Sequence, residues 1–353
     1  MRKILVKNLL MLSIILLAAG CAKKQDKNAN AKNETNGVNA EAYNNLEKVN
    51  IGGEKVILKY QFKKGDKFSY KLTTMTISDQ SIQSDSLKKS KTNQSTTYIF
   101  DFNILDVDKE NGADAEINIS SMIIAADIDG RKIRYDSKAI NDAQTKQRFI
   151  EYETIINSPF RAKINIKGEI ADISHLDKMV DKLTSFRPGQ RKLTPDEKTT
   201  LMNNIRDGAL RPITQLIFRE MPNKEVGKDS TWSEHYPGNL AGVFQLNYAA
   251  DFKVEDFVKI NGARAAKVSA NLSFKWTGNK QGNQDGVSYN FSDPKINGGG
   301  MILFNIDNGR LIKAETATKV EMNVQLESKD QSQKTKKSTR KDISTNRNII
   351  ELL

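Results

Sequence analysis

The chain has 353 residues, of which 38% are hydrophobic, 28% charged and only 7% aromatic, with a formal charge of +12. That composition excludes a polytopic membrane protein, a collagen and a disulfide scaffold, and the length suits two modest domains or one elaborate one. The only cysteine is Cys21, so an oxidising compartment offers it no thiol to pair with and no disulfide holds the fold.

Arg2, Lys3 and Lys7 precede an apolar run from Leu9 to Leu17, followed by Ala18, Ala19, Gly20 and Cys21. Residues 1–20 read as a secretory signal peptide, too short to span a bilayer as a transmembrane helix. The end of this segment resembles the lipobox of bacterial lipoproteins, in which small residues precede a cysteine that is acylated and becomes the mature N-terminus. The resemblance implies lipidation of Cys21 and attachment to a membrane through it. Acyl chains contribute about 0.8 kcal/mol per buried methylene, so several hold far better than one. By resemblance to lipoprotein sorting in Gram-negative envelopes, alanine rather than aspartate at position 22 implies the outer membrane, with the body facing the periplasm. Residues 22–50, rich in Asn, Lys, Ala and Glu, bury too little to offset chain entropy and read as a flexible tether of roughly 30 Å.

Past the tether, apolar residues alternate with period two, the pattern of strands with one buried face. Phe68, Tyr70 and Leu72 form one such face, and Tyr98, Phe100, Phe102 and Ile104 another. Phe244, Leu246 and Tyr248 repeat it, as do Ala266, Val268, Ala270, Leu272, Phe274 and Trp276. The longest runs through Ala314, Thr316, Thr318, Val320, Met322, Val324 and Leu326. Helical spacing is concentrated in the middle of the chain. Residues 140–156 predict one helix with Phe149, Tyr152, Ile155 and Ile156 inward. Leu176, Met179, Val180, Leu183 and Phe186 form an amphipathic stripe. Thr194, Pro195, Asp196 and Glu197 spell a capping box with proline at the first helical position. Gly208 should end or bend that helix, and Pro212 should open a shorter one carrying Ile213, Leu216, Ile217 and Phe218.

Residues 101–115 and 251–265 agree at eight positions without a gap, among them Asp101 and Asp251, Phe102 and Phe252, and the turns Asn111-Gly112 and Asn261-Gly262. Ile164, Asn165, Ile166 and Gly168 echo Phe304, Asn305, Ile306 and Gly309; Gly65, Asp66 and Phe68 echo Gly227, Asp229 and Trp232. The echoes keep their order, which predicts two related halves, 51–174 and 222–328, flanking a helical insert at 175–221. The expected fold is α+β and mainly antiparallel β, with long-stranded, half-barrel-like halves and a basic polar tail over 329–353 holding Lys334, Lys336, Lys337, Arg340, Lys341 and Arg347. The opening Tyr60, Phe62, Gly65, Asp66, Phe68 and Tyr70, with Val226, Gly227, Trp232 and the Asn-Gly hairpins, resembles uncharacterised bacterial lipoproteins grouped as a domain of unknown function. That resemblance covers most of 55–328 and carries over no activity or site. The strand pattern also has a looser likeness to periplasmic carriers built as a half barrel around helices.

No catalytic arrangement is legible, and no cofactor is expected. His175 and His235 suit surface or capping roles, and a zinc site would lack ligands. No Gly-x-Ser-x-Gly elbow exists. Asp127, Asp129 and Gly130 read as a turn rather than a calcium loop. Gly298, Gly299 and Gly300 precede a strand, so they mark a bulge or a close backbone approach. Trp232, Trp276, Tyr289 and Phe291 suit strand packing. An anchored, exported body without a basic stripe excludes nucleic acid as a partner. The function expected is a noncatalytic envelope lipoprotein that binds a lipid or another hydrophobic ligand on Leu272, Phe274, Trp276, Val320, Met322, Val324 and Leu326; the alternative is a structural or protein-interaction module without a cavity.

Overall fold

The structure is a computed structural model that describes residues 43–186, 191–222, 224–240, 244–284, 286–329 and 334–353. The expected signal peptide, Cys21 and most of the tether lie outside the described residues, as do the side chains of residues 236–246, Trp276 and Gln284.

Strands β1 (Glu47–Lys48) and β2 (Val56–Ile57) lead into β3 (Lys67–Gln83), β4 (Leu87–Val107), β5 (Ala113–Ile128) and β6 (Arg131–Asp136). Helices α1 (Ala143–Arg148) and α2 (Ile150–Ile155) precede β7 (Phe160–Ile164) and β8 (Ile170–Ser174). Next come α3 (Asp177–Ser185), α4 (Pro195–Ile205) and α5 (Arg211–Ile217). The chain closes with β9 (Glu225–Val226), β10 (Thr231–Leu240), β11 (Phe244–Ile260), β12 (Ala263–Trp276), β13 (Gln281–Gln284), β14 (Val287–Phe291), β15 (Lys295–Asn305), β16 (Arg310–Lys329) and β17 (Thr335–Leu352).

Fifteen of these strands form one antiparallel sheet with the path β1-β11-β12-β15-β16-β17-β3-β4-β5-β7-β8, while β2 and β9 pair separately. The inner face carries the main core, including Leu72, Phe100, Ile117, Phe304, Ala314 and Ile350. Residues expected as a polar tail form β17 instead, an 18-residue strand hydrogen-bonded along its length to β16 and from Thr339 onward to β3, which joins the two halves. The tether also ends earlier than expected. Tyr43 and Leu46 pack on the outer face with Val258, Ala265, Met301 and Leu303, and β1 pairs with β11.

The halves share local geometry. In sequence order β3-β4-β5-β7-β8 matches β10-β11-β12-β15-β16, each a run of hydrogen-bonded neighbours. Both central hairpins bulge at the same aligned place, Leu105 and Glu255 being the extra residues. Phe68 stacks on Phe102 at 5.0 Å, and Trp232 on Phe252 at 5.1 Å. Ser69 donates to Asp101 and Ser233 donates to Asp251. The later turns both use an asparagine side chain to accept backbone N–H groups, Asn165 and Asn305, and a left-handed glycine, Gly168 and Gly309. A Cβ on Gly168 would strike Tyr60, and one on Gly309 would strike Gln61, because the strap from Leu58 to Phe62 crosses both turns. The third strand departs from this match: Ala115 faces Ala162, whereas its counterpart Ala265 faces Asn305.

The helical region follows its sequence signals with two differences. Thr194 and Glu197 make the reciprocal capping box, and α3 buries Leu176, Met179 and Val180. Gly208 does not end the helix; residues Arg206–Leu210 form a π-helical turn that carries the chain into α5, a device that absorbs one extra residue per turn. The single helix expected over 140–156 is two short ones, with Ile140 fully exposed, because the Asp142 side chain caps the backbone at Thr145 and starts the helix there.

Candidate functional site

Three successive rungs across the inner face explain where the interior is filled and where it is open. The lowest runs Val268, Ile302, Ala314, Ile350, Leu72 and Tyr98 across β12, β15, β16, β17, β3 and β4. All six are buried and apolar, and they meet α5 and the aromatic cluster around Phe218. One step along the strands the same positions become Ala270, Gly300, Thr316, Asn348, Thr74 and Thr96. A further step gives Leu272, Gly298, Thr318, Asn346, Thr76 and Gln94. Side chains have shrunk and turned polar, so the sheet recedes from the helix and leaves a cavity of about 230 Å³.

The cavity has two unlike walls. Ala250, Phe252, Ala270, Leu272 and Phe274 from β11 and β12, with Ile213, Leu216 and Phe218 from the helical region, make an apolar side. Thr74, Thr76, Gln94, Thr96, Thr316, Thr318, Asn346 and Asn348 make a side of uncharged hydrogen-bonding groups. Thr76 donates to the Asn346 side-chain oxygen at 2.8 Å, which holds that amide in place. Gly298 and Gly300 stand in ordinary strand ladders without a bulge, and the close approach expected there is real: a Cβ on Gly298 would come within 2.8 Å of Leu272.

Helix α5 is held over the cavity by specific bonds. The Gln215 amide donates to the Gly168 and Phe218 carbonyls and its oxygen accepts from the Ile170 N–H, so a buried polar side chain is fully used in fixing the helix to β8. Phe218 packs edge-on against Tyr60, Tyr70 and Phe102. Just beyond it, Arg219 and Glu220 are the charged residues that line the cavity among the described residues. Burial, and then the Glu220 carboxylate, push the Tyr248 phenol above its ordinary range, so it stays a neutral hydroxyl. Burial likewise raises Tyr98.

The sequence-predicted face divides three ways. Leu272 and Phe274 line the cavity. Val320 and Val324 are buried in the sheet interior away from it, the latter opposite Phe291 of β14. Met322 and Leu326 lie half-buried further along the same face. Trp276 belongs to β12, and its side chain is outside the described residues. The polar wall was missed, although Thr316 and Thr318 interrupt the apolar run of β16 at the very positions that form it.

Other candidates stand apart. His175 and His235 are exposed and do not line the cavity. Asp129 and Gly130 form the left-handed turn between β5 and β6, with Gly130 N–H donating to Asp127. Among the described residues no group of three or more His, Cys, Asp or Glu side chains is arranged to hold a metal, and no helix is long and apolar enough to cross a membrane.

No curated protein matches the sequence. Among solved structures, lipovitellin, from a study of its lipid–protein interactions, aligns with 83% of this chain at 10% identity and a TM-score of 0.32; this chain spans 25% of lipovitellin. An outer membrane channel from Pseudomonas putida F1 aligns with 86% of this chain and all of its own at 10% identity and a TM-score of 0.16. The Pseudomonas aeruginosa protein OccK5 aligns with 82% of this chain and 98% of its own at 8% identity and a TM-score of 0.19. Residues 110–311, from the β4–β5 hairpin to the start of β16 and so including α5 and the apolar cavity wall but not the threonines and asparagines of the polar wall, match a family of unknown function, DUF6263, and the chain belongs to that family.

Proposed function

We propose that this protein is a noncatalytic envelope lipoprotein that binds a lipid or similar amphipathic molecule between its sheet and α5. The observation that carries this reading is the cavity of about 230 Å³, open above an otherwise packed core and walled by Leu272, Phe274, Leu216 and Phe218 on one side. It falls below the roughly 300 Å³ at which pockets for drug-sized ligands begin, so it suits part of a ligand, with the remainder lying along the half-buried inner face toward Met322 and Leu326. Apolar surface of that kind contributes about 25 cal/mol per Å² covered, which gives an acyl chain a reason to bind. The test is titration of a fluorescent acyl-chain probe into the protein, with saturable binding expected. If the probe shows only nonsaturable partitioning, the interaction-module reading replaces this one.

Attachment through acylated Cys21 and an outer-membrane, periplasm-facing location form part of the same proposal, supported by the small residues before that cysteine. Cys21→Ser is expected to move the protein from the membrane to the soluble fraction or to leave its precursor uncut; normal processing and retention would refute the anchor. The two β halves are further proposed to descend from one duplicated unit, supported by the shared bulges, aromatic stacks and Ser–Asp bonds. Other family members aligned half against half should keep these pairs in order, and their absence would reduce the likeness to common hairpin chemistry.

A further inference from the structure

We infer that the cavity selects an amphiphile with an uncharged, hydroxyl-bearing headgroup, seated on Thr316, Thr318 and Asn348, and discriminates against an anionic one. This rests on the ligand-binding reading above and specifies its substrate class.

Thr316, Thr318 and Asn348 make no side-chain hydrogen bond among the described residues, yet all three face the cavity. Thr318 is only 9% exposed. A hydroxyl offers one donor and two lone pairs, and an amide two donors and a carbonyl. Water reaches these groups in the open cavity, and displacing it would be costly unless the incoming molecule supplied partners. A hydrocarbon supplies none. A headgroup with several hydroxyls both donates and accepts, which matches a wall that does both.

The charge pattern excludes the other obvious headgroup. Among the described residues, the wall of threonines and asparagines holds no lysine or arginine, and the one lining cation, Arg219, sits next to the lining anion Glu220 on the opposite side. Both of those residues already take part in interactions within the protein. A carboxylate or phosphate set against the polar wall would surrender its hydration to neutral dipoles alone, because the lining charges Arg219 and Glu220 sit together on the other side. Desolvating an ion without a counter-ion is far costlier than desolvating a hydroxyl. The alkyl part then runs along Leu272 and Phe274, the apolar wall on β12, two strands away from Thr318.

The experiment compares dodecyl glucoside with dodecanoate, each titrated below its micelle concentration into the full chain carrying Cys21→Ser. Dodecyl glucoside is expected to bind about tenfold tighter or more, the scale of one or two net hydrogen bonds. Asn348→Leu and the near-isosteric Thr318→Val are each expected to weaken the glucoside by about fivefold to tenfold while leaving dodecanoate unchanged or tighter. Equal binding of both probes, with neither substitution altering their ratio, overturns the headgroup inference and leaves the lipid-binding reading standing. Failure of both probes to bind the unsubstituted cavity overturns the lipid-binding reading itself, and the headgroup inference with it.

Discussion

Deletion of β17 is expected to abolish cooperative folding, although its sequence looks like a dispensable basic tail. The strand pairs with β16 from Lys329↔Thr335 to Lys313↔Glu351 and with β3 from Gln83↔Thr339 to Tyr70↔Leu352, so its loss converts the middle of the sheet into two long unpaired edges. Ile350 is fully buried between Ala314 and Leu72, and its removal opens the lowest apolar rung. Arg347 holds Glu315, a carboxylate only 2% exposed, at 2.8 Å. Breaking a fully buried ion pair costs about 3–5 kcal/mol, and this part-buried one a fraction of that, still appreciable against the roughly 5–15 kcal/mol that holds a domain together. Glu351 adds a pH dependence. Its bond to Lys71, helped by Lys313, lowers its carboxyl below the ordinary 4.5. A depressed folded value means its contribution is complete above pH 4.5 and fades as pH falls through the folded value. Urea melts of the chain ending at Lys334 should show no sigmoidal transition. A cooperative melt near that of the intact chain would refute the central role of β17.

Leu272→Trp is expected to reduce binding of an acyl-chain probe by more than about tenfold, because it places an indole where the structure leaves space. Leu272 is half-buried, lines the recess of the cavity and stands opposite Gly298, so close that a Cβ on the glycine would strike it. Filling that recess removes the site without cutting into the packed rung below it. The control is Ile123→Trp, at an exposed position of β5 that does not line the cavity, which should change affinity by no more than about twofold. Circular dichroism and melting temperature establish that both variants fold. Undiminished binding by Leu272→Trp would place the ligand elsewhere, and an equal loss in both variants would mean that the probe coats the sheet rather than entering the cavity. Val324→Trp is not a useful filler, since Val324 is 5% exposed and packed away from the cavity.

Local signals were legible wherever a residue's conformation depends on its near neighbours. Alternation from Ala314 to Leu326 marked β16, the Thr194–Glu197 pair marked the start of α4, and Asn261-Gly262 marked its hairpin, because a face, a cap and a left-handed turn are each decided within a few residues. The aligned matches even located hairpins that bulge at equivalent places. Which strands become neighbours is a different kind of fact. It depends on pairings across more than 200 residues, such as Tyr70 with Leu352, and no local pattern encodes them. β17 was hidden for a further reason. Its inward residues Asp342, Ser344, Asn346 and Asn348 run along the polar side of the inner face, so the strand has no apolar alternation to read. Likewise Leu272 was legible as an inward residue, but only the register that sets it beside Gly298, Thr318 and Asn346 makes its position a cavity wall. The sequence by itself determined the strands, the caps and the faces; the tertiary structure decided which faces were filled, because a void arises where small side chains on separate strands fall into the same rung.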